Sequence, residues 1–298
     1  MQGHFTISAV KKVHRAMKVT VAQNCGFCHG VRNAITIAEK TLVQEKNVYS
    51  LGPVIHNEDE VGRLAKIGLK TVDSIDEISS GTVLIRSHGA APGEIEKIKA
   101  KGLTIVDATC VLVKRLHKIA ARLDKSGYQV VVIGNKNHPE VQAVVGCARD
   151  VTVIADRSDL HKVRENARLG VICQTTESPD HFGRVVADIE KAGFNELKVI
   201  NTLCKEAIKR QQAAVRLCKS VEVMFVLGGL ASANTRMLAE LCKKHNSQTF
   251  HLQNWKEFDK SMVSGKKTAG ITAGASTPEW VIAEFAARLA ALDTNGGK

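Results

Sequence analysis

Aromatic side chains are scarce, at 4% of the 298 residues, with two tryptophans and two tyrosines. A protein that reads nucleic acid by stacking interleaves exposed aromatics with a dense basic patch. Here the basic residues are dispersed along helical stretches, so nucleic acid is not an expected partner. Long apolar runs are missing too. A membrane span needs roughly 18 to 20 apolar residues, and the longest candidate, Val221 to Ala231, is about half that and contains two glycines. The chain therefore reads as soluble, with no membrane partner. Acidic residues are absent before Glu39, but the segment ahead of Met17 has one serine, one arginine and no long apolar stretch. Residues 1–17 are accordingly read as a short tail and not as a targeting peptide. With no signal peptide, the eight cysteines are expected in a reducing cytoplasm, where those outside the core suggest metal or redox chemistry more than disulfides.

The rest of the composition is ordinary for a globular protein. Hydrophobic residues make up 44% and charged residues 24%, and the length favours two or three domains built around Leu, Ile, Val and Ala. Forty-two basic against thirty acidic side chains leave a net charge of +12. That balance attracts an anion, such as a phosphorylated metabolite or an acidic redox partner.

The chain also repeats itself. VTVAQNCGFC ends at Cys28, LTIVDATC at Cys110 and LKVINTLC at Cys204, the cysteines lying 82 and 94 positions apart. Each segment is a β-branched run followed by a small turn, which reads as a buried strand. A basic amphipathic helix is expected after each cysteine, then a strand that ends in a polar cluster. Those clusters hold His56 with Asn57, His138 with Glu140, and Ser232 with Asn234; counted from the cysteine, His56, His138 and Asn234 come at offsets of 28, 28 and 30. Another strand follows in each repeat (TVLIRSHG, GVICQTTE, AGITAGAS), closed by Pro92, Pro179 or Pro278 and an acidic residue at a helix start. The expectation is an α/β fold of three pseudo-threefold-related units. Each has a mostly parallel four-stranded sheet, and they divide as 18–102, 103–196 and 197–298.

Ligands of open α/β sheets bind beyond the carboxyl ends of the strands, where all of these clusters lie. Should the units face inward, three thiolates would meet. Zinc held by three cysteines and a histidine remains one reading, but structural zinc sites draw paired ligands from short knuckles, and Cys25 and Cys28 alone have that spacing. An iron–sulfur cluster suits soft thiolates better, and a cubane held by three cysteines leaves one iron free for substrate. Cys147, Cys173, Cys218 and Cys242 lie in apolar patterns and read as core fillers. Cys25 reads as part of a turn, with a redox-active pair as the alternative. His56, His88 and His138, with neighbouring hydroxyls, amides and helix N-termini, are the donors an anionic phosphate needs. Glu140 is the one carboxylate in the clusters, placed to deliver a proton with its pKa raised.

The motifs CGFCHGV, DATC, NHPE, QTT, SAN and TAGAS, in that order, resemble the 4-hydroxy-3-methylbut-2-enyl diphosphate reductase family, which makes the last step of the non-mevalonate isoprenoid route. The resemblance spans residues 18 to about 290. It implies a three-domain trefoil around one 4Fe-4S cluster held by Cys28, Cys110 and Cys204, with one open iron. It further implies reductive dehydroxylation to isopentenyl or dimethylallyl diphosphate. By the same resemblance His56, His88, His138, Ser232, Asn234 and Ser276 hold the diphosphate, while Glu140, Thr175 and His138 serve the chemistry, with Thr175 also touching substrate. An acidic flavodoxin or ferredoxin is the implied electron donor, which a basic surface favours.

Three places depart from the family's pattern. Ser232–Ala233–Asn234 stands where Ser-Ser-Asn is usual, Val111 replaces a proline, and Lys205, Glu206, Ala207 and Ile208 replace a small hydroxylated stretch. Losing one hydrogen bond to a charged group costs roughly 1.5 to 3 kcal/mol, so one alternative is a paralogue that uses the same cluster on another substrate; the charge of +12 leaves a second, a non-enzymatic cluster-carrying sensor.

Overall fold

The computed structural model describes residues 17–165 and 167–292; the expected tail lies, apart from Met17, outside the described residues. β1 (Lys18–Val21) and α1 (His29–Gln44) come first. The first sheet then forms from β2 (Val48–Leu51), β3 (Leu69–Val72), β4 (Thr82–Ile85) and β5 (Thr104–Asp107), in the order β3-β2-β4-β5, with α2 (Glu58–Lys66) and α3 (Pro92–Ala100) as crossovers. The second, after α4 (Val111–Lys125), runs β7-β6-β8-β9. It uses β6 (Gln129–Ile133), β7 (Val151–Ile154), β8 (Arg168–Cys173) and β9 (Glu196–Val199), crossed by α5 (Pro139–Val145) and α6 (Pro179–Lys191). The third, after α7 (Lys205–Cys218), contains β10 (Val223–Leu227), β11 (Thr249–Leu252) and β12 (Thr268–Ala273), with α8 (Ala233–His245) and α9 (Glu279–Ala290), and it recruits β1 in the order β1-β12-β10-β11. Every paired strand is parallel. The α/β architecture of three four-stranded parallel sheets matches the expectation.

The phase of the repeat differs from the divisions at 102/103 and 196/197. The strand before each cysteine completes the sheet of the preceding unit: β5 pairs with β4, β9 with β8, and β1 closes the ring by pairing with β12. Each division thus falls one strand before a sheet ends. The reason is topological, since a parallel neighbour is reached by a helical crossover and α3 and α6 supply it. The helix after each cysteine packs the other way, onto the following sheet. Ala34, Ile35 and Ala38 of α1 cluster with Val48 and Leu84, and Leu116, Ile119, Ala120 and Leu123 of α4 with Val130 and Val132. Each cysteine is therefore at a seam between units.

The central strands β6 and β10 are buried along their whole length, as expected for parallel strands covered on both faces. Pro92 and Pro179 begin α3 and α6 and Pro139 begins α5, whereas Pro278 is the N-cap of α9. The few aromatics concentrate in the third unit. Phe225 lies 5.1 Å from Phe285 and 5.9 Å from Phe258 between ring centroids, and Trp255 stacks on Phe258 at 4.3 Å. Among the described residues no helix is long and apolar enough to cross a membrane.

Phe225 is fully buried, so Phe225→Ala should lower unfolding stability by about 3–5 kcal/mol. Urea denaturation followed by tryptophan fluorescence checks this, and a loss below about 1 kcal/mol would show that the aromatic cluster does not hold the third unit together.

Candidate active site

One pocket opens where the three units meet, and the eleven candidate ligand, binding and catalytic residues of the sequence all line it. Cys28, Cys110 and Cys204 come from the seams. His56 and His88 come from the first unit, His138, Glu140 and Thr175 from the second, and Ser232, Asn234 and Ser276 from the third.

Each of the three cysteines is the N-cap of a helix, α1, α4 or α7. The Val31 N–H donates to Cys28 Sγ at 3.4 Å. Helix N-termini favour negative charge, and backbone N–H groups of Leu112 and Val113 favour the Cys110 thiolate, as those of Ala207 and Glu206 favour that of Cys204. Burial outweighs them and raises the pKa of both thiols, and the neighbouring sulfurs push in the same direction. Gly30 makes the convergence sterically feasible. A Cβ there would lie 2.6 Å from Cys110 Sγ and 3.9 Å from Cys28 Sγ, so any side chain would occupy the space between the sulfurs. Among the described residues the one group of three ligand atoms gathered closely enough for a single ion is the histidine triad. The three sulfurs form no such group, which suits something larger than one zinc ion.

The other cysteines behave differently. Cys173, Cys218 and Cys242 are core residues, and the Cys147 Sγ donates to the Ala143 carbonyl at 3.3 Å. Cys25 packs against the third unit's core, and burial pushes its thiol up to about 11.

The imidazole centroids are 4.6 Å (His56–His88), 5.4 Å (His88–His138) and 5.7 Å (His56–His138) apart. Burial lowers all three pKa values, that of His138 to about 4 and that of His88 well below the ordinary value, and Arg86 adds to the effect on each. All three are neutral at pH 7. His138 Nδ1 accepts the Glu140 N–H at 3.2 Å, which leaves its Nε2 to carry the proton. His56 Nε2, His88 Nδ1 and Asn234 Nδ2 are buried without partners. Such groups need a ligand. A metal ion would be repelled by Arg86 and Arg236, whose charges act on His56 and His138; an anion would be attracted, and α8 directs its N-terminus here through Ser232 and Asn234. The Ser276 hydroxyl donates to the His56 carbonyl at 3.0 Å and can still accept.

Glu140 lines the same pocket as the thiols and the histidines. It is buried, and burial raises its pKa against the opposing pull of Thr175. The Thr175 N–H donates to Oε1 at 2.7 Å and the Thr175 hydroxyl to Oε2 at 2.8 Å. An acid held in this way, with no cation paired to it among the described residues, is suited to proton transfer.

A model of the LytB protein family matches residues 19–290. The chain belongs to the LytB family. It is 39% identical over 274 residues to the 4-hydroxy-3-methylbut-2-enyl diphosphate reductase of Trichlorobacter lovleyi, covering 92% of this chain and 98% of that one. To the enzyme of the same name from Aquifex aeolicus it is 38% identical over 276 residues, covering 91% and 95%. Among solved structures, the (E)-4-hydroxy-3-methyl-but-2-enyl diphosphate reductase described as the terminal enzyme of the non-mevalonate pathway is 38% identical, with a TM-score of 0.67 over 92% of this chain and 98% of that one. The Plasmodium falciparum reductase structure is 26% identical, with a TM-score of 0.89 over 94% and 90%.

Within this LytB chain the unusual positions separate into two kinds. Val111 is 66% exposed at the start of α4, outside the pocket, and Glu206 is exposed and pairs with Lys209. Ala207 and Ala233 do line the pocket. Sequence reasoning missed Arg86, Arg236 and Arg210. Arg86 directly precedes Ser87–His88 and Arg236 follows Asn234 by two residues; adjacency to a polar cluster was the available signal.

An anion bound among neutral histidines raises their pKa, so binding takes up protons. Pyrophosphate affinity should therefore rise as pH falls from 8 to 6. Calorimetry in buffers of different ionisation enthalpy measures the uptake; affinity that is flat or weakens on acidification contradicts the assignment.

Proposed function

We propose that this chain reduces 4-hydroxy-3-methylbut-2-enyl diphosphate to isopentenyl and dimethylallyl diphosphate. The observation that carries the reading is the set of groups that line one pocket together: three thiols, three histidines of which His56 and His88 keep unpartnered ring nitrogens, and the Thr175–Glu140 pair. The reaction is balanced by two electrons and two protons. The allylic C–O bond breaks, one proton completes the departing water, and the other forms the new C–H bond with the electron pair.

His56, His88, His138, Ser232, Asn234 and Ser276 would hold the diphosphate through N–H and O–H donors. With the diphosphate held there, the allylic hydroxyl would reach the thiol centre in the same pocket. Glu140, whose pKa burial raises, would deliver a proton to the leaving oxygen. Thr175 would orient that carboxyl and, with His138, complete the relay. The residues fit an iron–sulfur cluster, given the gap that Gly30 leaves beside the sulfurs and their wide placement. Cys28, Cys110 and Cys204 would hold it, and a 4Fe-4S cubane with three cysteines supplies the electrons and one open iron. An acidic carrier of the flavodoxin or ferredoxin kind would bring electrons to a protein of net charge +12. All eight cysteines are free, which suits a cytoplasmic setting.

Ala233 and Ala207 in the pocket wall favour a second reading, the same chemistry on a different allylic diphosphate. Anaerobic turnover with dithionite and methyl viologen decides. The proposal expects conversion of the named substrate, and iron-loaded protein that leaves it unchanged supports the second reading. Glu140→Gln should lower kcat by about 10²-fold or more, with KM within a few-fold and the iron content intact. Ala233→Ser, which restores a hydroxyl, should tighten diphosphate binding by about tenfold; unchanged affinity would mean that position 233 does not face the ligand.

A further inference from the structure

Arg210 is a buried, charged pocket residue with no part in the reaction above. It lies on α7 beyond Cys204, is 3% exposed, and lines the same pocket as the three cysteines. Its Nη1 donates to the Ala273 carbonyl at 3.0 Å, while its Nε is buried without a partner. Among the described residues no carboxylate forms an ion pair with it. A guanidinium keeps its charge in proteins and offers five N–H donors, so burying one without a counter-ion is strongly unfavourable.

The groups close enough to favour its charge are Cys25, Cys28, Cys204 and Glu206. Cys25 stays a neutral thiol, since burial pushes it up to about 11. Glu206 is already paired with Lys209 at the surface. The remaining candidates are Cys28 and Cys204, which become anionic on binding metal.

We propose that Arg210 is the fixed counter-cation of the thiolate centre and raises its reduction potential by stabilising the electron-loaded state. The inference rests on the cluster reading above. Each electron that enters the centre adds one negative charge beside a cation that cannot leave or lose its proton. Because Arg210 is buried, that interaction is less screened than one at the surface. The same charge offsets the mutual repulsion of the thiolates, so it also helps them hold iron.

The test compares Arg210→Met, which keeps length without charge, with Arg210→Lys, which keeps the charge. Both are purified anaerobically, assayed for iron and sulfide, and poised at one fixed potential, where electron paramagnetic resonance reads the reduced-to-oxidised ratio. The expected result is full iron in both, a ratio about tenfold lower in Arg210→Met, equal to about 59 mV for one electron, and a ratio within about threefold of the parent in Arg210→Lys. Iron lost from the Met variant and kept by the Lys variant also supports the role of charge. An iron-loaded Met variant with the parent ratio overturns it, as does a Lys variant that shifts as far as Met, or loss of iron from both. An iron-free parent protein overturns the cluster reading, and this inference with it.

Discussion

The convergence of three sulfurs at the seams between units constrains the rest of the molecule. Each cysteine ends the turn after an edge strand of one sheet and caps the first helix packed on the next. The position of each sulfur therefore depends on two units at once. Gly30 shows how tight the arrangement is, because one added methyl would fill the space beside Cys110 and Cys28. The pairing of β1 with β12 closes the ring and brings the Cys28 turn to the same centre as the other two. Small parallel sheets bury limited area individually, and shared seams let each unit support its neighbours.

The electrostatics of the pocket are built from different materials around its two sets of polar groups. Around the histidines the imidazoles are neutral, so the positive field comes from Arg86 and Arg236 and from helix N-termini. This leaves ring N–H groups free to act as donors. Around the sulfurs, helix starts and Arg210 oppose the cost of burying negative charge. Among the described residues no cation pairs with Glu140, and burial dominates its pKa.

Much of this was legible in the sequence because strand ends and cysteines recur at matched offsets. The eleven residues chosen from those offsets all line one pocket. The phase of the units was not legible. A strand followed by a turn and a cysteine reads as the start of a unit, yet sheet membership is decided by which neighbour the crossover helix delivers, and that is a long-range choice. The arginines were missed for a related reason. Arg210 looks like one more basic residue on an amphipathic helix, and only the packed structure shows that it points inward. Val111 and Ala233 were indistinguishable as departures until the fold exposed the first and lined the pocket with the second.

If three seam cysteines jointly hold a multi-iron group, iron binding depends on all three of them. Iron and acid-labile sulfide counted per chain after anaerobic purification, for the parent and for Cys→Ser variants, test it most directly. The expected result is about four irons per parent chain, loss on changing Cys28, Cys110 or Cys204, and retention on changing Cys25 or Cys147. An iron-free parent, or a triple variant that stays fully loaded, would contradict it.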